Sequence, residues 1–203
     1  MRLPHSEHAT QPWRIHEITA DFRIEDVWAL PTPGDAGDFP LLIEQFAAGD
    51  GAPGESSRAT RVLFAIRWKL GELFGWDREE SGAGARVPTL RDRLPADLRD
   101  GPSGPKLSTV GFKPLYLTED EFAAEIANET MHGVLHLGWV SDGDGWRGQM
   151  AILVKPNGLM GNAYMAAIKP FRYLIVYPQM LQRIEREWPA ARERQRRQQE
   201  PVS

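Results

Sequence analysis

The last third of the chain sets the strongest limit on the fold. Apolar residues fall at Met160, Tyr164, Ala167, Ile168, Phe171, Leu174, Ile175, Leu181, Ile184 and Trp188, a three-and-four spacing that predicts one long amphipathic helix. The rhythm keeps step past Pro170 and Pro178. Each proline removes a backbone bond and crowds the preceding turn, so both are expected to bend this helix without ending it. A helix of this length with one apolar stripe needs a broad apolar surface to lie on, and the residues before it supply one.

From Val110 the apolar period changes to two. Strands are expected near Phe112–Leu117, Glu121–Asn128, Thr130–Val140 and Trp146–Lys155, joined by short turn-like links such as Ser141-Asp-Gly-Asp-Gly145. An earlier strand is expected over Phe22–Leu30, stopped by Pro31-Thr-Pro-Gly. Two shorter helices lie near the N-terminus. One covers Leu41–Ala48, with Asp38 as candidate N-cap and Gly49 as its stop; the other runs from Ser56 or Ser57 to about Phe74, before Gly75. This order predicts an α+β fold in which an antiparallel sheet wraps around the long C-terminal helix, the helix-grip arrangement. Residues 13–188 form the single domain of this reading, preceded by a loose lead-in over 1–12. The charged, Gly- and Pro-rich stretch 77–106 reads as a long loop or lid, and 189–203 as a polar tail.

Composition excludes several classes of function. The chain has no Cys, so disulfides, thiolate metal sites and Cys nucleophiles are ruled out. A net charge of −4 gives no support to nucleic-acid binding, and the basic tail Arg192, Arg194, Arg196, Arg197 is offset by Glu193 and Glu200. No apolar stretch approaches the roughly 20 residues that span a bilayer. The N-terminus lacks the apolar core of a signal peptide, so a soluble cytoplasmic protein is expected.

Three segments carry a resemblance: Glu25-Asp-Val-Trp-Ala-Leu-Pro31, Asn128-Glu-Thr-Met-His-Gly-Val-Leu-His-Leu-Gly-Trp-Val140 and Tyr164-Met-Ala-Ala-Ile-Lys-Pro-Phe-Arg-Tyr-Leu-Ile-Val-Tyr-Pro178. They resemble a bacterial family, domain of unknown function 2867, over most of residues 20–188. That family is similar to the START-like (SRPBCC) helix-grip superfamily, whose members commonly bind hydrophobic ligands and in some cases are enzymes. The resemblance therefore implies a ligand cavity between sheet and helix, and it transfers no catalytic residue.

His132 and His136 are the most tempting chemical groups. On a strand they share one face but lie roughly 13 Å apart, too far for two bonds of about 2 Å to one metal. They read either as sheet-face polar groups or as cavity-lining groups that orient a ligand. Glu121 and Glu125 share a face of the preceding strand and read as part of a solvated face, whereas a Glu pointing into the cavity beside a His would suggest acid/base work. Asp142-Gly-Asp-Gly145 lacks the closing acids of a calcium loop and reads as a hairpin turn. No metal or cofactor is expected.

The chain is therefore expected to bind a small hydrophobic or amphipathic molecule between the sheet and the C-terminal helix. Trp28, Tyr116, Trp139, Tyr164 and Phe171 are the expected lining, with His132, His136 or Arg172 fixing the polar end. One alternative is an enzyme of cyclase, dehydratase or hydrolase type that uses a His/Glu pair. Another is a non-catalytic interaction module, such as a homodimer, because both faces of Thr130–Val140 carry apolar residues.

Overall fold

The computed structural model describes residues 1–49, 88–107, 111–127 and 131–199. Six antiparallel strands form one sheet in the order β1-β2-β6-β5-β4-β3: Arg2–Leu3 (β1), Arg23–Ala29 (β2), Lys113–Leu117 (β3), Glu121–Ala127 (β4), Met131–Asp142 (β5) and Gly145–Pro156 (β6). The five expected strands are present within a few residues of their limits, because each alternates side chains between two buried faces. The β5–β6 hairpin turns through Gly143, whose φ of 62° is the positive value that two-residue hairpin turns ask of their first residue. Pro114 lies on β3, an edge strand, where a missing N–H costs no ladder bond.

Alternation along β5 sorts the sheet into two faces. Leu135, Leu137 and Trp139 join Trp28, Leu30 and Met150 on one face, which is covered by helix α3 (Phe39–Gly49) and by Tyr177, Ile184 and Trp188 of the C-terminal helix. Val134 and Val140 join Val27, Ala151 and Leu153 on the other. That second face is covered by Trp13, Ile15 and Ile18 and by Leu90, Leu94 and Leu98. These residues come from two short helices, Ser6–Ala9 (α1) and Ile15–Ile18 (α2), a 3-10 turn over Leu90–Arg93 and another short helix, Ala96–Asp100 (α4).

The C-terminal helix runs from Gly158 to Gln199 as Gly158–Phe171 (α5), a π segment over Arg172–Val176, and Tyr177–Gln199 (α6). Between Pro170 and Pro178 the backbone takes one wide turn, in which the Tyr177 N–H donates to the Arg172 carbonyl. This π turn replaces the simple bends expected at the prolines. Its extra residue shifts the apolar stripe. Leu174, expected on the buried face, is 76% exposed, whereas Tyr177 is buried.

Other expectations are corrected. Residues 1–12 are no loose lead-in: Arg2–Leu3 pairs with β2, and His8 is fully buried. Within the stretch expected to be a long loop or lid, Leu90, Leu94 and Leu98 recur at four-residue intervals and pack against the sheet. The polar tail continues the helix to Gln199. The expected helix from Ser56 or Ser57 to Phe74, and residues 77–87, lie outside the described residues. No helix among the described residues is long and apolar enough to cross a membrane.

Candidate functional site

On the face opposite the C-terminal helix, the β4–β5 register repeats one diagonal. Glu121 pairs with Gly138 while His136 pairs with Ala123, and four residues on Glu125 pairs with Val134 while His132 pairs with Ala127. Each Glu therefore reaches the His one pleat away. His136 Nε2 lies 3.1 Å from Glu121 Oε2, and His132 Nε2 lies 2.8 Å from Glu125 Oε2, with all four side chains buried.

The carboxylates hold more than imidazoles. Glu121 also accepts from the Arg14 N–H at 2.8 Å, the Ile15 N–H at 3.4 Å and the Tyr116 hydroxyl at 2.9 Å. Glu125 accepts from the Leu90 N–H at 2.9 Å and from the Thr89 hydroxyl. Each acid thus receives the free N–H groups at the start of a covering helical turn, α2 for Glu121 and the 3-10 turn for Glu125.

Burial pushes both carboxyls up, but the bonds from His136 and His132, with the backbone and hydroxyl donors, hold each below its ordinary value. Burial lowers His136 despite the Glu121 bond. It also pushes His8 down to about 2, with the neighbouring His136 and His16 adding to the effect. Burial, together with the Glu121 charge, raises the Tyr116 hydroxyl. Glu121 and Glu125 are ionised acids with their lone pairs already engaged, and His136 and His8 are neutral imidazoles. The arrangement fastens a cover to the sheet.

A second polar cluster sits under the C-terminal helix. Asp26, fully buried on β2, accepts from Arg172 Nη2, from the Tyr173 hydroxyl and from the Tyr177 hydroxyl at 2.7 Å. Arg172 also donates from Nη2 and Nε to the Tyr177 oxygen, at 2.7 and 3.1 Å. The π turn brings Arg172 and Tyr177 onto one acid, and the indole of Trp28 packs 4.8 Å from the Tyr177 ring.

At the hairpin end of the sheet a cleft of about 540 Å³ opens between the loop after β2, the β5–β6 turn and α6. Leu30, Pro31, Pro33 and Trp146 give it apolar walls, and Arg147, Arg192 and Asp142 give it charge. Arg147 Nε donates to Asp142 at 3.1 Å, while Arg147 Nη1 is buried with no protein partner. Arg192 is held by Asp35 at 2.7 Å and Asp38 at 2.8 Å.

The expected lining residues do not meet in one cavity. Tyr116, His132 and His136 lie on the face away from the C-terminal helix; Trp28, Trp139 and Arg172 lie on the face beneath it. The sheet itself separates them, so the two His cannot fix the polar end of a ligand held against that helix. Phe171 is half-buried at the end of α5, and Tyr164 lies on α5 with its side chain outside the described residues. Neither Trp28 nor Trp139 is among the residues that line the cleft. Trp28 precedes Leu30 on the same face, and the Trp139 indole donates to the Asp35 carbonyl at 3.0 Å.

Asp26, Tyr173 and Tyr177 carry no signal in the sequence that sets them apart, and Arg192, expected in a polar tail, is held at the cleft by Asp35 and Asp38. Trp146-Arg147 beside the Asp142–Gly145 turn was the one local signal for the cleft. Among the described residues no group of three His, Asp or Glu could hold a metal ion.

A family model described as "Protein of unknown function (DUF2867)" matches residues 18–179. No curated protein and no solved structure matches the chain.

Proposed function

The chain thus belongs to the DUF2867 family, and because that description assigns no activity, we propose a function from the geometry: binding of a small amphipathic anion in the cleft between the β5–β6 hairpin and α6. The cleft's makeup carries this reading. Its size falls within the roughly 300–1,000 Å³ range of small-molecule sites. Leu30, Pro31, Pro33 and Trp146 offer apolar contact, and Arg147, Arg192 and Asp142 are the charged residues of its lining. Arg147 is the group with donor capacity to spare, since its buried Nη1 has no protein acceptor and a change of side-chain rotamer would bring it to a headgroup. An anionic headgroup would satisfy it, and the apolar body would lie along Trp146 and the prolines. Arg172, expected to read the headgroup, is engaged with Asp26.

Titration of the full chain with anilinonaphthalene sulfonate, competed by decanoate, tests the proposal. Saturable fluorescence that decanoate reverses is expected, with affinity about tenfold weaker in Trp146→Ala and in Arg147→Gln, or about 1.4 kcal/mol each. Lys169→Gln, away from the cleft, should leave it unchanged. Absence of saturable binding, or binding indifferent to both cleft substitutions in folded variants, would overturn the reading.

A further inference from the structure

Three polar atoms on the face away from the C-terminal helix are buried without a protein partner: His8 Nδ1, Trp13 Nε1 and Gln149 Oε1. Their side chains are at least nine-tenths buried, His8 and Gln149 almost completely. They also belong to one neighbourhood. The Trp13 ring lies over Gly138, so close that a Cβ there would meet Cζ2 at 2.6 Å and Cε2, the carbon bearing Nε1, at 3.2 Å. Gln149 is the residue paired with Gly138 across the β5–β6 ladder. Its Nε2 donates to the Glu7 carbonyl at 3.3 Å, next to His8, whose ring centre lies 6.5 Å from that of Trp13.

Donor and acceptor roles follow from the bonds already made. Ionised Glu121 can only accept, so His136 carries its proton on Nε2 and presents a bare Nδ1. His8 Nε2, 3.1 Å from that Nδ1, must then be the N–H, which leaves His8 Nδ1 as a lone pair. The Glu7 bond fixes the Gln149 amide with its oxygen free. The three atoms are therefore two acceptors and one N–H donor.

We propose that these atoms form a closed site for one neutral molecule with two donors and an acceptor, a water taken from bulk solvent. It would accept from Trp13 and donate to His8 and Gln149. Three hydrogen bonds are typical of a buried water, and each orphaned group otherwise bears an uncompensated desolvation cost. The bound water extends the chain Glu121–His136–His8 by one link and adds a second tie between the N-terminal segment and β6, beside the Gln149–Glu7 bond.

Water-to-protein ROESY spectra of the full chain test this at the Trp13 indole proton. A dipolar cross-peak, opposite in sign to an exchange peak, is expected in the wild type and is expected to disappear in Gln149→Leu. Where that variant does not fold, the 15N shift of His8 Nδ1 in the wild type decides, because an accepting nitrogen resonates upfield of a bare one. A bare-nitrogen shift, a Trp13 proton with no dipolar peak, or a peak that survives Gln149→Leu would overturn the site.

Discussion

Replacing Asp26 by Asn tests what holds the long helix to the sheet. The carboxylate is fully buried, and it accepts from Arg172 and from two tyrosine hydroxyls. The substitution keeps the shape and one oxygen acceptor but removes the charge, so the Arg172 guanidinium, whose side chain is only 13% exposed, loses its counter-ion. Breaking a buried ion pair from one side costs about 3–5 kcal/mol, because the other charge remains desolvated. Arg172 keeps the Tyr177 oxygen and some contact with solvent, which places the expected loss at the lower end, about 3 kcal/mol. In a chain of this size that corresponds to a fall in Tm of roughly 6–12 °C. Urea unfolding at pH 7, with the m-value unchanged, measures it directly. Arg172→Met added to Asp26→Asn should recover stability relative to Asp26→Asn alone, since no unpaired charge is left buried. A loss under about 1 kcal/mol for Asp26→Asn, or simple additivity in the double variant, would refute the argument.

The opposite face should make the protein acid-sensitive in two steps. His8 and His136 have folded pKa values below the ordinary 6.5, so the unfolded chain binds more protons, and the stability they contribute is complete above about pH 6.5 and lost as pH falls below it. With His8 near 2, the drop from pH 6.5 to pH 5 is about 2 kcal/mol for that group alone. Glu121 and Glu125, held below their ordinary 4.5, add a second loss as pH falls below that value. Urea midpoints that stay flat between pH 7 and pH 5 would contradict the buried neutral imidazoles. Gly138→Ala drives a methyl into the Trp13 ring, with separations of 2.6 and 2.7 Å, and should cost about 1–3 kcal/mol in chemical denaturation. An unchanged midpoint would show that the N-terminal segment is not seated on β5. Leu174→Ser should change stability by no more than about 0.5 kcal/mol, whereas Tyr177→Phe should cost about 1–3 kcal/mol by leaving its partners short of a bond. Thermal melts with the reverse ranking would place the π turn elsewhere.

The sequence reading succeeded where one face of an element repeats with a fixed period, and failed where a single long-range partner decides. The strands from Lys113 to Pro156 alternate over enough residues for the period of two to be seen. Arg2–Leu3 is too short to show any period, and only its pairing with β2 makes it a strand. Period two also placed His132 with His136 and Glu121 with Glu125. It could not say which side of the sheet the helix would take, because both faces of β5 are apolar and each is covered by a different part of the same chain. That covering accounts for the second apolar face within the chain itself. Asp26 escaped notice because an acid next to Glu25 on a strand reads as solvated. Of its partners, Tyr173 and Tyr177 share a face at i and i+4, whereas Arg172 and Tyr177, five residues apart, come into line only through the π turn, which no helical wheel drawn at 3.6 residues per turn contains.

Three buried carboxylates, each bonded to a different covering segment, explain how two similar apolar faces acquire different covers. Apolar burial is non-directional, so Leu and Ile stripes alone would let the long helix or the short turns settle on either face in several registers. A buried acid is more demanding: it is tolerated only where donors arrive in fixed geometry. Asp26 accepts Arg172 and the two tyrosines, Glu121 the start of α2, and Glu125 the start of the 3-10 turn. Exchanging covers would strand each of these charges at several kcal/mol, a cost larger than the difference between two apolar faces. The hairpin end is fastened differently. There Arg192 is held by Asp35, whose side chain is 77% exposed, and by Asp38, whose side chain is 14% exposed; only the first is a surface pair of the kind that contributes about 0–1 kcal/mol. A ligand entering the cleft would meet the exposed Asp35 pair and leave the buried carboxylates undisturbed.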